Sequence, residues 1–422
     1  MKYFLPFVVC LLIIIPGWAQ RDCRWFDYKQ QQLKADPLLA EKVQAVESFT
    51  RLQLRRASVT ITGQGSRDNI PPLITIPVVV HIVYNSSSQN ISDAQVLSQL
   101  DVLNADYGKH NADTSAIPSY YSRLAANTGF RFVLAGVDTN GHATTGIVRK
   151  FTNANSFSLN DDVKFSSKGG DDAWDRDLYL NIWVCNLTGN VLGYSSLAGG
   201  AKGTDGVVVL YTAFGTKGTA MVPYNRGRTA THEIGHWLNL IHVWGDADCG
   251  DDEVADTPPQ QRATYGNPGG IVISCGNTPY GNLYMDYMDF TDDAGMHLFT
   301  YGQRDRMRVL FAEGGFRQPL LSSTTGAISA ANAGGGTTGA VGAGGGLVVD
   351  IYPNPAMSAV SVKLNDRARV GSLLEVYNQV GMKVMEVRVT QLSFQLNLSG
   401  LAGGVYFLRV EGGGSGSTFV KL

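Results

Sequence analysis

The run Thr229-Ala-Thr-His-Glu-Ile-Gly-His-Trp-Leu-Asn-Leu-Ile-His242 constrains the fold more than any other stretch of the chain. It sets His232, His236 and His242 around one carboxylate, Glu233. Histidines four apart on an α-helix project from the same face, because 3.6 residues complete a turn, so His232 and His236 can meet at one metal ion. H-E-x-x-H on a helix is the zinc signature, and Glu233 stands beside the first ligand, placed to touch a metal-bound water rather than the metal. His242 comes six residues after His236 and would face away if the helix ran on. The spacing therefore predicts a helix capped by Thr229 and running to about Leu240, with Asn239 as the breaker, since Asn tolerates the left-handed region.

The rest of the chain is long enough to support such a site. Its 422 residues exceed one ordinary domain, and 44% hydrophobic against 17% charged residues allow a sizeable core. A formal net charge of -2 offers no electrostatic case for nucleic acid or an acidic membrane surface. Met1-Lys2, an apolar run from Tyr3 to Ile15 and then Pro16-Gly-Trp-Ala19 read as a secretory signal peptide over 1–19; the run is short for a membrane anchor. No later stretch is apolar and long enough to cross a bilayer. Cys10 leaves with the signal, and Cys23, Cys185, Cys249 and Cys275 remain in a compartment that can oxidise them, with three possible pairings.

Residues 20–71 are polar, with Leu38, Leu39, Val43, Val46 and Phe49 at helical spacing and Arg51, Arg55 and Arg56 behind them. The stretch reads as a pro-segment with cleavable basic sites, or as a helical arm that stays on the domain. Cys23 within it is either a thiolate that fills an open metal position and keeps an enzyme latent, a disulfide partner of Cys185, or an idle thiol. Strands are expected at Ile76–Tyr84, Phe130–Leu134, Leu178–Val184 and Gly206–Tyr211, with a helix from Ser92 to Lys109. His81 reads as a core-strand histidine and Cys185 as buried and inert. Strands with a helix behind them, followed by the histidine helix, make the chain α/β or α+β. The acidic loop from Trp244 to Pro258 is either a Ca²⁺ site or a solvated loop. Gln303 to Phe311 reads as a helix that closes the unit. Residues 321–346, poor in bulk and rich in glycine, read as a linker. Short β-rich runs from 347 to 422, at Ala359–Leu364, Leu373–Tyr377, Lys383–Val389, Phe394–Leu398, Val405–Val410 and Thr418–Leu422, read as a small antiparallel β-sandwich.

His232 to His242, followed by Met288-Asp-Phe-Thr-Asp-Asp-Ala-Gly-Met296, resembles the pappalysin family of metzincin metalloproteases over roughly 72–318. The resemblance implies an α+β metzincin catalytic domain over 72–320: a twisted mixed sheet, an active-site helix below it, and a lower subdomain with a Met-turn. It implies a secreted zinc endopeptidase that processes its own pro-segment, with relatives favouring Arg at the cleaved bond. By position it assigns the zinc ligands to His232, His236 and His242, the general base to Glu233 and the Met-turn to Met288. It also assigns a calcium loop to Asp252, the Val254 carbonyl, Asp256 and Thr257, and so implies Ca²⁺ beside Zn²⁺.

Three positions depart from the family pattern. Asn239 replaces a glycine. One of two usual disulfides is lost as a pair, near Asn267 and at Gly295, which leaves Cys249–Cys275. Phe290 replaces a tyrosine whose hydroxyl helps hold the oxyanion, unless a shifted turn at Met285-Asp-Tyr287 supplies it. The C-terminal runs Tyr352-Pro-Asn-Pro355, Val376 to Val384 and Leu398 to Tyr406 resemble the sorting domain of Bacteroidetes type IX secretion. That implies export by outer-membrane secretion machinery to the extracellular space or the outer cell surface. The expected partners are protein or peptide substrates and that machinery. An inactive metzincin that serves as a surface binding protein is the rival expectation, motivated by Phe290.

Overall fold

The computed structural model describes residues 23–60, 72–323, 325, 349–352, 356–364, 369–378, 382–411 and 416–421. The expected signal peptide and linker residues 326–346 lie outside the described residues. Among the described residues no helix is long and apolar enough to cross a membrane.

The chain opens with two helices, α1 (Trp25–Ala35) and α2 (Pro37–Thr60). Strand β1 (Ile74–Tyr84) then enters the centre of a mixed sheet. Nearly every residue of β1 is buried, as a strand covered on both faces requires. Helix α3 (Asp93–Tyr107) follows, its first turn capped by the Ser92 hydroxyl, which accepts from the Gln95 N–H. A single-turn helix α4 (Ser119–Ser122) leads to β2 (Phe130–Leu134), β3 (Ile147–Phe151), β4 (Leu180–Cys185), β5 (Gly193–Ser195) and β6 (Val207–Leu210). The order is β2-β1-β4-β6-β5, and β3 pairs with the second half of β1 where β2 stops. Only β5 runs antiparallel in this sheet, and it forms the edge.

The alternation of β1 assigns its two faces. Ile76, Val78, Val80 and Ile82 join the core shared with α3 and with α5 (Arg228–Trp237). Val83, with Trp183, Tyr194 and Val208 of the neighbouring strands, faces a second cluster on the other side. His81 is buried between Asp171 and Asn181, at 2.7 Å and 3.1 Å, as a satisfied core histidine. Helix α6 (Tyr301–Arg308) is entered through a capping box made by Thr300 and Gln303. Beyond residue 348, β7 (Val349–Tyr352), β8 (Ala359–Leu364) and β11 (Ser393–Asn397) form one antiparallel sheet. The strands β9 (Leu373–Asn378), β10 (Lys383–Arg388), β12 (Gly404–Val410) and β13 (Gly416–Lys421) form the other. Their apolar faces share one core that includes Val362, Val376, Leu408 and Phe419, so the expected sandwich is present.

Expected and observed elements differ mainly at ends and at short edge strands. Both β3 and β5 escape sequence patterning, β5 because three residues carry no period. The expected Gln303–Phe311 helix begins at Tyr301 and tightens into a 3₁₀ turn over Val309–Phe311.

Candidate active site

All ten residues of α5 are buried, so the histidine helix is a core element with one face turned to a cleft. Its N-cap is Gly227, at φ 74°, and Thr229 sits inside the first turn. The expectation for Thr229 fails because a distant side chain caps the helix. The Asp293 carboxylate accepts from the Arg226 and Arg228 N–H groups at 2.7 Å and 3.2 Å. The helix ends at Trp237 in a Schellman arrangement. Leu240 N–H donates to Gly235 O at 2.9 Å, Asn239 N–H donates to His236 O at 2.8 Å, and Asn239 takes φ 69°. Asn239 therefore breaks the helix by the expected route and returns His242 to the cleft.

Each imidazole is held through Nδ1 by an acceptor. His232 is 2.6 Å from Tyr287 O, His236 is 2.9 Å from Leu240 O, and His242 is 2.5 Å from Asp246 Oδ1. With Nδ1 protonated, every Nε2 carries a lone pair, and these converge. His236 Nε2 lies 3.2 Å from His232 Nε2 and 3.1 Å from His242 Nε2. Three converging lone pairs repel unless a cation sits among them, so the donor set fits a soft divalent metal with imidazole ligands. Burial, then His242 and His232, hold His236 well below its ordinary pKa, which keeps it neutral and able to ligate. Indole rings stack on two of the ligands, Trp25 on His236 at 4.3 Å and Trp244 on His242 at 4.3 Å.

Glu233 follows His232 and lies against the edge strand. A Cβ built on Gly193 would stand 2.9 Å from Glu233 Cγ, so the glycine lets the strand backbone approach the carboxylate. The floor comes from Met288, fully buried, whose sulfur would be 2.4 Å from a Cβ on Gly235. Gly235 and Met288 are thus a fitted pair. Phe290 lies 4.9 Å from His242 and 5.8 Å from His232, ring centre to ring centre. Tyr287 is fully buried beside Arg228, with Asp106 near its hydroxyl, so it supplies a carbonyl to His232 and no hydroxyl to the cleft.

The comparisons with known proteins bear on this geometry. A family model described as pregnancy-associated plasma protein-A matches residues 164–312, and one for a secretion system C-terminal sorting domain matches 350–422. An extracellular metalloprotease of Pyricularia oryzae is similar at 32% identity over 249 residues, 57% of this chain and 76% of that protein. The chain belongs to the pappalysin family of metalloproteases. Among solved structures, a promirolysin mutant of Tannerella forsythia is similar at 43% identity and TM-score 0.64, covering 71% of this chain and 97% of that one. Mature mirolysin of Tannerella forsythia, in complex with a cleaved peptide, is similar at 49% identity and TM-score 0.59, covering 60% and 97%. This pappalysin is a secreted or cell-surface zinc metalloendopeptidase of metzincin fold, made as a precursor, with a secretion sorting domain at its C-terminal end.

In this pappalysin the N-terminal segment fills the cleft. Cys23 pairs as an isolated bridge with Gly193, and its Sγ and the three histidine ligand atoms all lie within 4.8 Å of one another. Cys23 is free and buried, as is Cys185 at the end of β4, so the alternative of a bridge between them is not what forms. Burial, then the nearby Glu233 carboxylate, push the Cys23 thiol well up in the metal-free cluster. Further along the segment, Arg306 donates both guanidinium arms to Glu47 of α2, at 3.0 Å and 2.6 Å. Its Nε donates to the Asn239 carbonyl at 2.8 Å. Arg51, Arg55 and Arg56 are exposed but lie inside α2. Sequence reasoning missed Trp25, Asp246 and Glu47. Only the i+4 spacing of Asp246 from His242 carried a signal.

Cys249 and Cys275 are joined as a disulfide. In the expected calcium loop, Thr257 Oγ1 lies 2.8 Å from Asp252 Oδ1 and 2.7 Å from Val254 O, with one hydroxyl proton to share between them, so three oxygens converge. Asp256 turns away from them. Its carboxylate accepts from Thr300 Oγ1 at 2.7 Å and Gly302 N at 2.9 Å, at the start of α6.

Proposed function

We propose that Glu233 is the general base and acid of a peptide-bond hydrolysis carried out where His232, His236 and His242 hold zinc. The observation that carries this reading is the convergence of three Nε2 lone pairs next to the Glu233 carboxylate, which α5 holds against an edge strand. Zn²⁺, when bound, would polarise the scissile carbonyl and acidify a water. Glu233 takes that water's proton and later delivers it to the leaving amine, in a site that Met288 floors and Trp244 flanks. The substrate lies extended along β5 and gains main-chain hydrogen bonds from the edge. Asp246 fixes the ring orientation and tautomer of His242.

Latency follows from the same residues. Cys23 Sγ would occupy the fourth ligand position in the precursor, since a cation among the histidines favours the thiolate. Processing after Arg51, Arg55 or Arg56 requires the end of α2 to fray, because a protease takes its substrate extended. The part of segment 20–71 that precedes the cleaved bond then leaves, and 72–320 remains as the catalytic domain. The sorting domain engages outer-membrane secretion machinery. Ca²⁺ in the 252–257 loop is supported by the converging oxygens and by Asp252 Oδ2, buried with no hydrogen-bond partner.

The test compares the activated enzyme with Glu233→Ala on a denatured protein substrate. The expected loss is about 100-fold or more, the range for removing a general base. Equal cleavage by the two would sink the mechanism, and no cleavage by either would favour a binding protein.

A further inference from the structure

The segment that crosses the cleft carries a second buried aromatic, and its seat is unusual. Tyr28 is 2% exposed, and its hydroxyl donates to Asp161 Oδ2 at 2.7 Å. The other oxygen, Asp161 Oδ1, is 2.8 Å from Lys164 Nζ, and both side chains are almost wholly buried, at 6% and 0% exposure. Lys164 Nζ also donates to Thr204 O at 2.8 Å. It stands 5.4 Å from the ring centre of Tyr28, 5.1 Å from that of Tyr194 and 5.5 Å from that of Trp183. Tyr28 thus lies in an aromatic slot with an ion pair at its base.

Every wall of this slot belongs to the catalytic domain, and none depends on Tyr28. Lys164 is pinned by Asp161 and Thr204. Tyr194 sits on β5, paired with Val208 of β6, and Trp183 donates its indole N–H to Asp171 O at 2.9 Å. Loss of the pro-segment therefore leaves a formed slot beside the edge strand on which substrate lies. A ring could be held equally well by apolar walls, and burying an ion pair carries a desolvation cost that apolar walls avoid. The ion pair fits a slot that is open to water in the working enzyme and that selects a hydroxyl. Asp161 accepts the phenolic proton while Lys164 faces the ring.

We propose that this slot is a substrate subsite of the mature enzyme, specific for the phenol side chain of tyrosine, which Tyr28 occupies in the precursor. The proposal rests on the endopeptidase reading above. Phenylalanine would fill the same volume but leave Asp161 Oδ2 unpaired. Loss of a hydrogen bond to a charged acceptor predicts a preference for Tyr over Phe of about 10- to 100-fold in kcat/KM.

The experiment activates the full chain and supplies peptides that share one cleavable bond. Tyr is moved through each flanking position in turn, and each peptide has Phe and O-methyltyrosine counterparts. The expected result is one position at which Tyr outruns both counterparts by about ten-fold or more. Asp161→Asn, which suits the left-handed backbone at φ 61°, should bring the Tyr-to-Phe ratio there towards one. Equal cleavage of all three at every position overturns the proposal alone and leaves the slot to the pro-segment. A preference that survives in a folded Asp161→Asn enzyme also overturns it. Cleavage of no peptide, including one without aromatic residues, overturns this proposal and the endopeptidase reading together.

Discussion

Replacing Glu47 by Gln should release the pro-segment without altering the enzyme that results. Arg306 is 1% exposed at its side chain and Glu47 16%, and the two form a forked pair of 3.0 Å and 2.6 Å bonds. Removing one partner of a buried ion pair costs about 3–5 kcal/mol, because the other charge stays buried and uncompensated. Gln keeps one acceptor for the fork, and Glu47 is partly exposed, which brings the expected cost down to about 2 kcal/mol. The cost falls on the docked state alone, since release opens Arg306 to water. The docked-to-released equilibrium should therefore shift roughly 30-fold.

The assay follows the rate at which purified full-length chain shortens and gains peptidase activity. It carries its own control, because after processing the variant and the wild type are the same polypeptide. Burial alone would raise the Glu47 carboxyl, but Arg306, then Arg51, outweigh it and hold it below its ordinary value. A carboxyl depressed in the docked state contributes docking stability above its free pKa, and that stability is lost as pH falls through the docked pKa. Acid, below the ordinary glutamate value of about 4.3, should speed wild-type processing more than that of the variant. Equal processing rates at neutral pH would refute the reasoning and leave the cleft contacts as the whole lock.

Cys23→Ser should also activate faster than wild type, since a hydroxyl is a poor zinc ligand; an unchanged rate of processing would remove Cys23 from the latency mechanism. Phe290→Tyr returns a hydroxyl near His242 and His232, and should raise kcat/KM by about ten-fold if oxyanion support is limiting; no gain would show that the cleft does not use one there. Gly235→Ala drives a methyl to 2.4 Å from the Met288 sulfur, and should cost about 1–3 kcal/mol by overpacking; a thermal melt at the wild-type midpoint would contradict the fitted-pair account.

Much of the site was legible because its signals are local. His232 and His236 follow from helical periodicity, and Asn239 from the conformational tolerance of one residue type. The core strands were legible from β-branched runs, and β5 was not, since three residues hold no pattern. Whatever depends on distant partners stayed hidden. Gly227 and Asp293 displace Thr229 as the cap, and Asp293 lies 65 residues from Arg228. Glu47 meets Arg306 across 259 residues. Trp25 read as part of a polar stretch and turns out to stack on His236. The acidic loop from Trp244 to Pro258 was legible as composition, but Asp256 is engaged at the start of α6, a pairing that no local spacing encodes.

The central claim is that His232, His236 and His242 hold the zinc with which Glu233 cleaves peptide bonds. It is tested most directly by incubating activated enzyme with a peptide library and quantifying bound metals on the same sample. The account predicts one zinc per chain, cleavage that stops when a chelator removes it, and none in Glu233→Ala with zinc still bound. Cleavage that persists in zinc-free protein, or in Glu233→Ala, would contradict it.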